Sequence, residues 1–234
     1  MPVEVDPSLP LVATAYDALS VGPFNTPAGA LLVVGFAGYG SSTPLADGVT
    51  FTLQQESPLW TYAQLWTAPL TAARTGLEIE MPAAEMVGGM KVWVVTGQAS
   101  PVAVGQGGSG SLTTNNATVT GYNSSRAGTL GLAVGYEDDQ VAETATPTTS
   151  TDIFDRYYKS DLHGPGVPGS ALFLHKAAPA TAAGQAVTFN LNAPGTAAAD
   201  WHWAAIEILN APDAPSPPRI VHAARAATHR ASSW

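Results

Sequence analysis

Leu77-Glu78-Ile79-Glu80-Met81 alternates apolar and acidic side chains with a period of two residues. Successive side chains of a β-strand point to opposite faces, so this segment has one face for a core and one for solvent. Ala186-Val187-Thr188-Phe189-Asn190-Leu191 alternates in the same way, whereas Leu31-Leu32-Val33-Val34-Gly35-Phe36 is apolar on both faces. These patterns predict half-buried antiparallel strands that cover fully buried central ones.

Strand signals recur along the chain, and turn residues separate nearly all of them. Many short strands divided by turns are typical of a sandwich or barrel and not of a βαβ fold. We therefore predict an all-β, mostly antiparallel sandwich over residues 1–210. We expect residues 105–111 and 137–151 to be loops and Asp152–Lys159 to be a short helix or an irregular strand, and no internal repeat is evident. The further candidate strands are residues 11–16, 49–53, 59–66, 90–96, 129–137, 171–175 and 200–209.

The composition is poor in charge. Only 12% of the 234 residues are charged, about half of the ~25% found in ordinary soluble domains, so Thr, Ser, Asn, Gln, Gly and Ala must cover much of the surface. This favours a secreted or virion protein over a cytosolic enzyme. The chain has no cysteine, which excludes disulfides, zinc–thiolate sites and cysteine nucleophiles. Residues 1–6 have no basic n-region and no apolar h-region, so we expect no signal peptide there. No apolar run approaches the ~20 residues of a membrane span.

Charge is distributed unevenly between residues 1–210 and the segment that follows. Residues 1–210 contain six of the nine basic residues and seventeen of the eighteen acidic ones, a net charge of −11. Nucleic-acid binding needs a basic surface, so we expect no nucleic-acid partner. Arg219, Arg225 and Arg230 lie in residues 211–234, which we call the arm.

The arm is the strongest functional indication in the sequence. It begins with prolines at positions 212, 215, 217 and 218, which favour a stiff, extended path. We call residues 1–210 the body. The arginines of the arm would be attracted to the acidic body of a neighbouring copy, and the alternative is a disordered terminus. The predicted partner-binding residues are Arg219, Ile220, Val221, Arg225, Arg230 and Trp234.

The order of several segments resembles the jelly-roll β-sandwich domains of tailed-phage virion proteins, especially the minor tail proteins of phages of high-GC actinobacteria. The resemblance covers roughly residues 10–210 and consists of patterns of apolar residues and glycine. It implies a jelly-roll-like fold and a non-enzymatic, structural or receptor-contacting role in a multi-copy assembly, and it carries over no catalytic residue. The segments are Pro27-Ala28-Gly29-Ala30-Leu31-Leu32-Val33-Val34, Leu59-Trp60-Thr61-Tyr62-Ala63, Lys91-Val92-Trp93-Val94-Val95-Thr96-Gly97, Gly128-Thr129-Leu130-Gly131-Leu132-Ala133-Val134-Gly135-Tyr136 and Trp203-Ala204-Ala205-Ile206-Glu207-Ile208.

Catalytic motifs are weak. Residues 105–110 match G-x-G-x-x-G, but no helical period follows them and no acid lies about 20 residues on, so a dinucleotide site is not expected. The chain contains no G-x-S-x-G, and its histidines form no H-E-x-x-H. We predict no catalytic residue and no cofactor, and a paired-carboxylate glycosidase is the enzyme alternative. The histidines are His163, His175, His202, His222 and His229.

Two groups of acidic residues offer oxygen ligands for calcium. Neither resembles an EF-hand loop, and adjacent acids after a strand usually mark a solvated loop, so we predict no metal site. The two groups are Glu137, Asp138, Asp139 and Glu143, and Asp152, Asp155 and Asp161.

Aromatic residues are concentrated on two of the predicted strands. Trp60, Tyr62 and Trp66 would share one face of the 59–66 strand, and Trp201 and Trp203 one face of the last strand, opposite its isoleucines. Core packing is the main expectation for each of them, and a subunit interface or a contact with glycan is the alternative.

The sequence therefore predicts a structural virion protein of a tailed phage, most plausibly a minor tail or tail-tip subunit. Its partners would be copies of itself and other virion proteins, and it would be assembled in the host cytoplasm and released by lysis. A capsid decoration protein and a module that binds cell-wall glycan are the alternatives.

Overall fold

The chain folds as an all-β protein. The computed structural model describes residues 2–6, 8–15, 18–40, 42–58, 62–82, 87–114, 116–137, 152–159, 169–192 and 200–212. The strands in these ranges are β1 (Glu4–Asp6), β2 (Val12–Ala15), β3 (Leu19–Thr26), β4 (Leu31–Tyr39), β5 (Thr52–Glu56), β6 (Ala63–Pro69), β7 (Arg74–Met81), β8 (Val87–Thr96), β9 (Val104–Thr113), β10 (Asn116–Asn123), β11 (Leu130–Glu137), β12 (Asp152–Lys159), β13 (Gly169–Lys176), β14 (Ala186–Asn192) and β15 (Asp200–Ile208).

The described strands pair antiparallel in two large sheets and two ribbons. The first sheet has the order β2-β8-β4-β6-β5, and β1 pairs with the same strand, β8, as β2 does. The second sheet has the order β12-β13-β11-β15-β9. The first ribbon is β3 with β7, and the second ribbon is β10 with β14.

The layers pack in the order first ribbon, first sheet, second sheet, second ribbon, with a hydrophobic cluster between each pair of neighbours. Trp93 and Phe173 meet between the two sheets, Ile79 lies under the first ribbon and Phe189 under the second. The predicted alternation is confirmed in β7, which buries Leu77, Ile79 and Met81 and exposes the residues between them. The predicted antiparallel sandwich is confirmed as well.

The chain contains the same strand order twice. Adding seven to each strand number of the first sheet turns β2-β8-β4-β6-β5 into β9-β15-β11-β13-β12, which is the second sheet, and turns the β3–β7 ribbon into β10–β14. In the first set of seven strands β2 pairs with β8 and β3 with β7, and in the second set β9 pairs with β15 and β10 with β14. This is jelly-roll connectivity. We call β1–β8 the first half and β9–β15 the second half.

Backbone hydrogen bonds repeat between the halves as well. Gly29 N–H donates to Leu70 O at 2.9 Å, and Leu70 N–H donates to Ala30 O at 2.8 Å. Gly128 N–H donates to Ala180 O at 2.8 Å, and Ala180 N–H donates to Thr129 O at 2.8 Å. Both glycines have positive φ, 76° and 83°. The turn before β4 is therefore built like the turn before β11.

This equivalence uncovers a repeat in the sequence. Ala68-Pro69-Leu70-Thr71-Ala72-Ala73 matches Ala178-Pro179-Ala180-Thr181-Ala182-Ala183, and the first buried residues of the alternating strands β7 and β14, Leu77 and Val187, follow at the same distance. The expectation of no internal repeat is therefore wrong. The repeat escapes inspection because it consists of small residues and prolines that are common in any turn.

The glycine-rich segment 105–111, which we expected to be a loop, lies within strand β9. A Cβ on Gly108 would lie 2.1 Å from Gly121 O in the second ribbon, and one on Gly110 would lie 3.0 Å from the Trp203 ring. Glycine is used here because the backbone of β9 approaches its neighbours closely. Asp152–Lys159 forms strand β12, which settles the choice between helix and strand.

Candidate interaction surfaces

Backbone hydrogen bonds attach the chain to the body as far as Ala211, the first residue of the arm. Leu209 N–H donates to Ala103 O and Leu209 O accepts from Ala99 N–H, both at 2.7 Å, and Ala211 N–H donates to Gly97 O at 2.8 Å. Pro212, the next residue, is exposed. The predicted partner-binding residues Arg219, Ile220, Val221, Arg225, Arg230 and Trp234 lie outside the described residues.

The arm leaves the body at the end of the molecule where β4 and β11 begin. Gln98 Nε2 donates to Gly29 O at 2.5 Å, just before β4. Arg126 Nε donates to Asn210 Oδ1 at 3.1 Å, just before β11. The start of β7 lies at the same end, because Arg74 pairs with Thr26 at the end of β3. The exit of the arm and the first residues of β7 are therefore on the same side of the body.

The predicted aromatic residues are divided among different environments. Tyr62 and Trp201 are buried, Trp66 and Trp203 are half-buried, and Trp60 lies outside the described residues. The expectation that Tyr62 and Trp66 share a face is wrong: Tyr62 belongs to the cluster between the sheets, whereas Trp66 packs under the first ribbon. Strand β6 begins only after Tyr62, at Ala63, so strand alternation does not apply to Tyr62.

Sequence reasoning placed the tryptophans of β15 correctly. Trp201 and Trp203 both pack toward the second ribbon, whereas Ile206 and Ile208 face the first sheet. This face of β15 is covered, so neither tryptophan is part of an open aromatic platform.

An aromatic cluster that the sequence did not reveal lies at the opposite end from the arm exit. Tyr62 packs 5.0 Å from Tyr39, 5.4 Å from Tyr136 and 4.7 Å from His202, measured between ring centroids. Tyr39 is 45% exposed, and the other three are buried. The four rings come from four separate strands or strand ends, so no local sequence signal joins them.

Two of the acidic residues considered as calcium ligands, Asp152 and Asp155, are paired with lysines. Asp152 forms a salt bridge with Lys176, and Asp155 Oδ2 lies 2.8 Å from Lys91 Nζ. Glu137 is buried. Within the described residues, no group of three His, Cys, Asp or Glu side chains could hold a metal ion. Asp138, Asp139, Glu143 and Asp161 lie outside those residues.

One ion pair crosses between the halves. Lys91 of β8 is 3% exposed, donates to Leu9 O at 2.5 Å and reaches Asp155 of β12. His175 of β13 is buried nearby, and burial, together with the charge of Lys91, lowers its pKa below the ordinary value. Asp155 and Asp152 act in the opposite direction without reversing the shift.

A second buried charge joins elements within the second half. Glu207 of β15 is fully buried and accepts hydrogen bonds from Gln106 N–H at 2.9 Å and Ser125 N–H at 2.7 Å. Burial and the charge of Glu207 raise the pKa of the Tyr122 hydroxyl. The carboxylate satisfies these two backbone N–H groups and so has a structural role.

The first ribbon borders an open groove of about 430 Å³ between residues 45–47 and β7. Leu45 in its wall is 53% exposed. Asp47, Glu78 and Glu80 are exposed around it. We call this cavity the ribbon groove.

Among the residues that the structure describes, no helix is long and apolar enough to cross a membrane.

Comparison with protein-family models, with curated proteins and with solved structures found no match to this chain.

Proposed function

We propose that this protein is a structural subunit of a tailed-phage virion, specifically of the tail or tail tip, and that it assembles through its arm. One observation carries the proposal: the body is complete at Ala211, where β15 has already paired on both sides and the last backbone bond joins Ala211 to Gly97.

Charge supports the same proposal. The body carries a net charge of −11, and the arm contains three arginines and one acid, Asp213. Opposite charges steer two copies toward each other and fix their orientation. The burial of Tyr62 and Trp201 supports the structural role over the glycan-binding alternative, because buried rings offer no stacking face to a sugar.

Light scattering on the full chain and on a chain that stops after Pro212 tests the proposal. Stopping there preserves the Ala211–Gly97 bond, so the melting temperature of the body should change little, and it serves as the folding control. We expect the full chain to form oligomers and the shortened chain to be a monomer. A shortened chain that oligomerises normally would contradict the proposal.

A further inference from the structure

The ribbon groove exists because the pairing of β7 with a third strand stops after one residue. Leu45 and Glu80 exchange both backbone hydrogen bonds, at 2.8 and 2.9 Å. The chain then turns away, with Val49 N–H donating to Ala46 O at 3.1 Å and Arg74 Nη2 donating to Gly48 O at 2.9 Å.

Among the residues that the structure describes, no strand pairs with β7 on the side opposite β3, so its backbone between Arg74 and Glu78 is a sheet edge. Backbone groups of alternate strand residues point to the same edge, so the N–H and C=O of Glu78 point to the edge that Glu80 uses toward Leu45. An edge of this kind accepts an added strand, with main-chain bonds giving affinity and side-chain pockets giving specificity.

The side chains around this edge define the strand that would fit. Leu45 is exposed and Leu77 lies at the base of the groove, so an apolar side chain would be covered on this face. Glu78 and Glu80 point outward and would meet basic side chains. Val187 of the second ribbon is equivalent to Leu77, so Thr188 and Asn190 correspond to Glu78 and Glu80. Neither is acidic, so this acidic edge belongs to the first half.

The arm contains a segment that matches these requirements. Proline cannot donate a ladder hydrogen bond, and the proline-rich part of the arm ends at Pro218. Arg219-Ile220-Val221-His222 follows directly. In an extended chain Ile220 points opposite to Arg219 and Val221, so Ile220 can cover Leu45 and Leu77 while Arg219 meets Glu78 or Glu80.

We propose that residues 219–222 of one copy add a strand to β7 in the ribbon groove of a neighbouring copy. The inference rests on the proposed function and names the surface that receives the arm. The occupant is taken from another copy because the proposed function has the arm join one copy to the next. The segment from Pro212 to Pro218, extended at about 3 Å per residue, gives Arg219 a reach of roughly 20 Å from the exit point.

Charge reversal in the full chain tests the groove. E78K/E80K changes the net charge by four units at the groove, and E4K/E56K makes the same change at two exposed residues elsewhere on the first sheet. Sedimentation velocity over a concentration series should show self-association at least tenfold weaker for E78K/E80K and within twofold of the original chain for E4K/E56K. Mixing E78K/E80K chains with R219E/R225E/R230E chains should restore association, because acidic arms then meet basic grooves.

A second variant tests strand addition separately from charge. V221P removes a backbone N–H and should weaken association at least tenfold, whereas V221T keeps the backbone and should change it less than threefold. Equal association of V221P and V221T would overturn strand addition.

The outcomes separate this inference from the proposed function. If the chain that stops after Pro212 still associates, the proposed function fails, and this inference fails with it. If that chain is a monomer but E78K/E80K associates as well as E4K/E56K, the groove is not the receiving surface, and the proposed function stands. A third outcome is that the full chain is a monomer at every concentration and that trypsin cleaves after Arg219 faster in E78K/E80K but not in E4K/E56K. The arm would then bind the groove of its own chain, and the proposal that it binds a neighbouring copy would be wrong.

Discussion

The two halves of the molecule share one strand order and fill it with different chemistry. In the first half, Leu32, Leu70 and Val94 are buried apolar side chains in the layer beneath the ribbon. The halves are aligned by treating Leu31 and Leu130, the first residues of β4 and β11, as equivalent. The counterparts in the second half are then Gly131, Ala180 and Glu207. The difference shows that connectivity and strand alternation define this fold, whereas the contents of the layer can be either packed side chains or buried hydrogen bonds.

The largest expected effect comes from removing the buried carboxylate of the second half. Glu207→Ala leaves the N–H groups of Gln106 and Ser125 without their acceptor, and each such loss costs about 1–3 kcal/mol. We expect the free energy of unfolding to fall by roughly 4 kcal/mol, measured by urea denaturation. Glu56→Ala, at an exposed position, is the control, with a change within about 0.5 kcal/mol. A loss below about 1 kcal/mol for Glu207→Ala would show that the polar half does not depend on this carboxylate.

The next largest effect on the free energy of unfolding comes from exchanging the residues at two equivalent positions, 70 and 180. Leu70→Ala removes a side chain that is 5% exposed and should cost about 3 kcal/mol. Ala180→Leu introduces the residue of the first half beside a groove of about 300 Å³, lined in part by Gly131 and Gln185. That space should accommodate the larger side chain, so the change in unfolding free energy should stay below about 1 kcal/mol. Thermal and urea unfolding would measure both. A cost above about 2 kcal/mol for Ala180→Leu would mean that the halves are not interchangeable at this position.

The smallest expected effect depends on pH. His175 occupies the position of Thr67 in the first half, and its folded-state pKa is lowered by burial and by Lys91. The unfolded state therefore binds a proton at a higher pH than the folded state. The stability that neutral His175 contributes is complete above pH ~6.5 and is lost as the pH falls from there through the folded-state pKa. The free energy of unfolding then changes by at most ~1.4 kcal/mol per pH unit.

His175→Thr should flatten the stability profile below pH 6.5, relative to the original chain. Comparing urea midpoints of the two chains at a series of pH values removes the contributions of the other titrating groups. Identical slopes would contradict the assignment to His175.

The sequence predicted the strands well wherever alternation or a long apolar run was present, as in β4, β7, β14 and β15. It failed for β9, because six glycine and serine residues carry no alternation and the reason for glycine is a neighbour distant in sequence, Gly121. It also missed the aromatic cluster around Tyr62 and the ribbon groove. Both depend on which strand ends meet in space, and antiparallel pairing over long separations leaves no local mark on the chain.

The ion pair between Lys91 and Asp155 has a consequence for folding at high concentration. Two halves with the same strand order present similar faces, so a half of one chain is a competing partner for a half of another. A first half that met another first half would bury two ammonium groups with no facing carboxylate, because the first-half residue equivalent to Asp155 is Gln55. An uncompensated buried charge costs several kcal/mol. The ion pair thus favours the joining of a first half to a second half and disfavours the pairing of like halves.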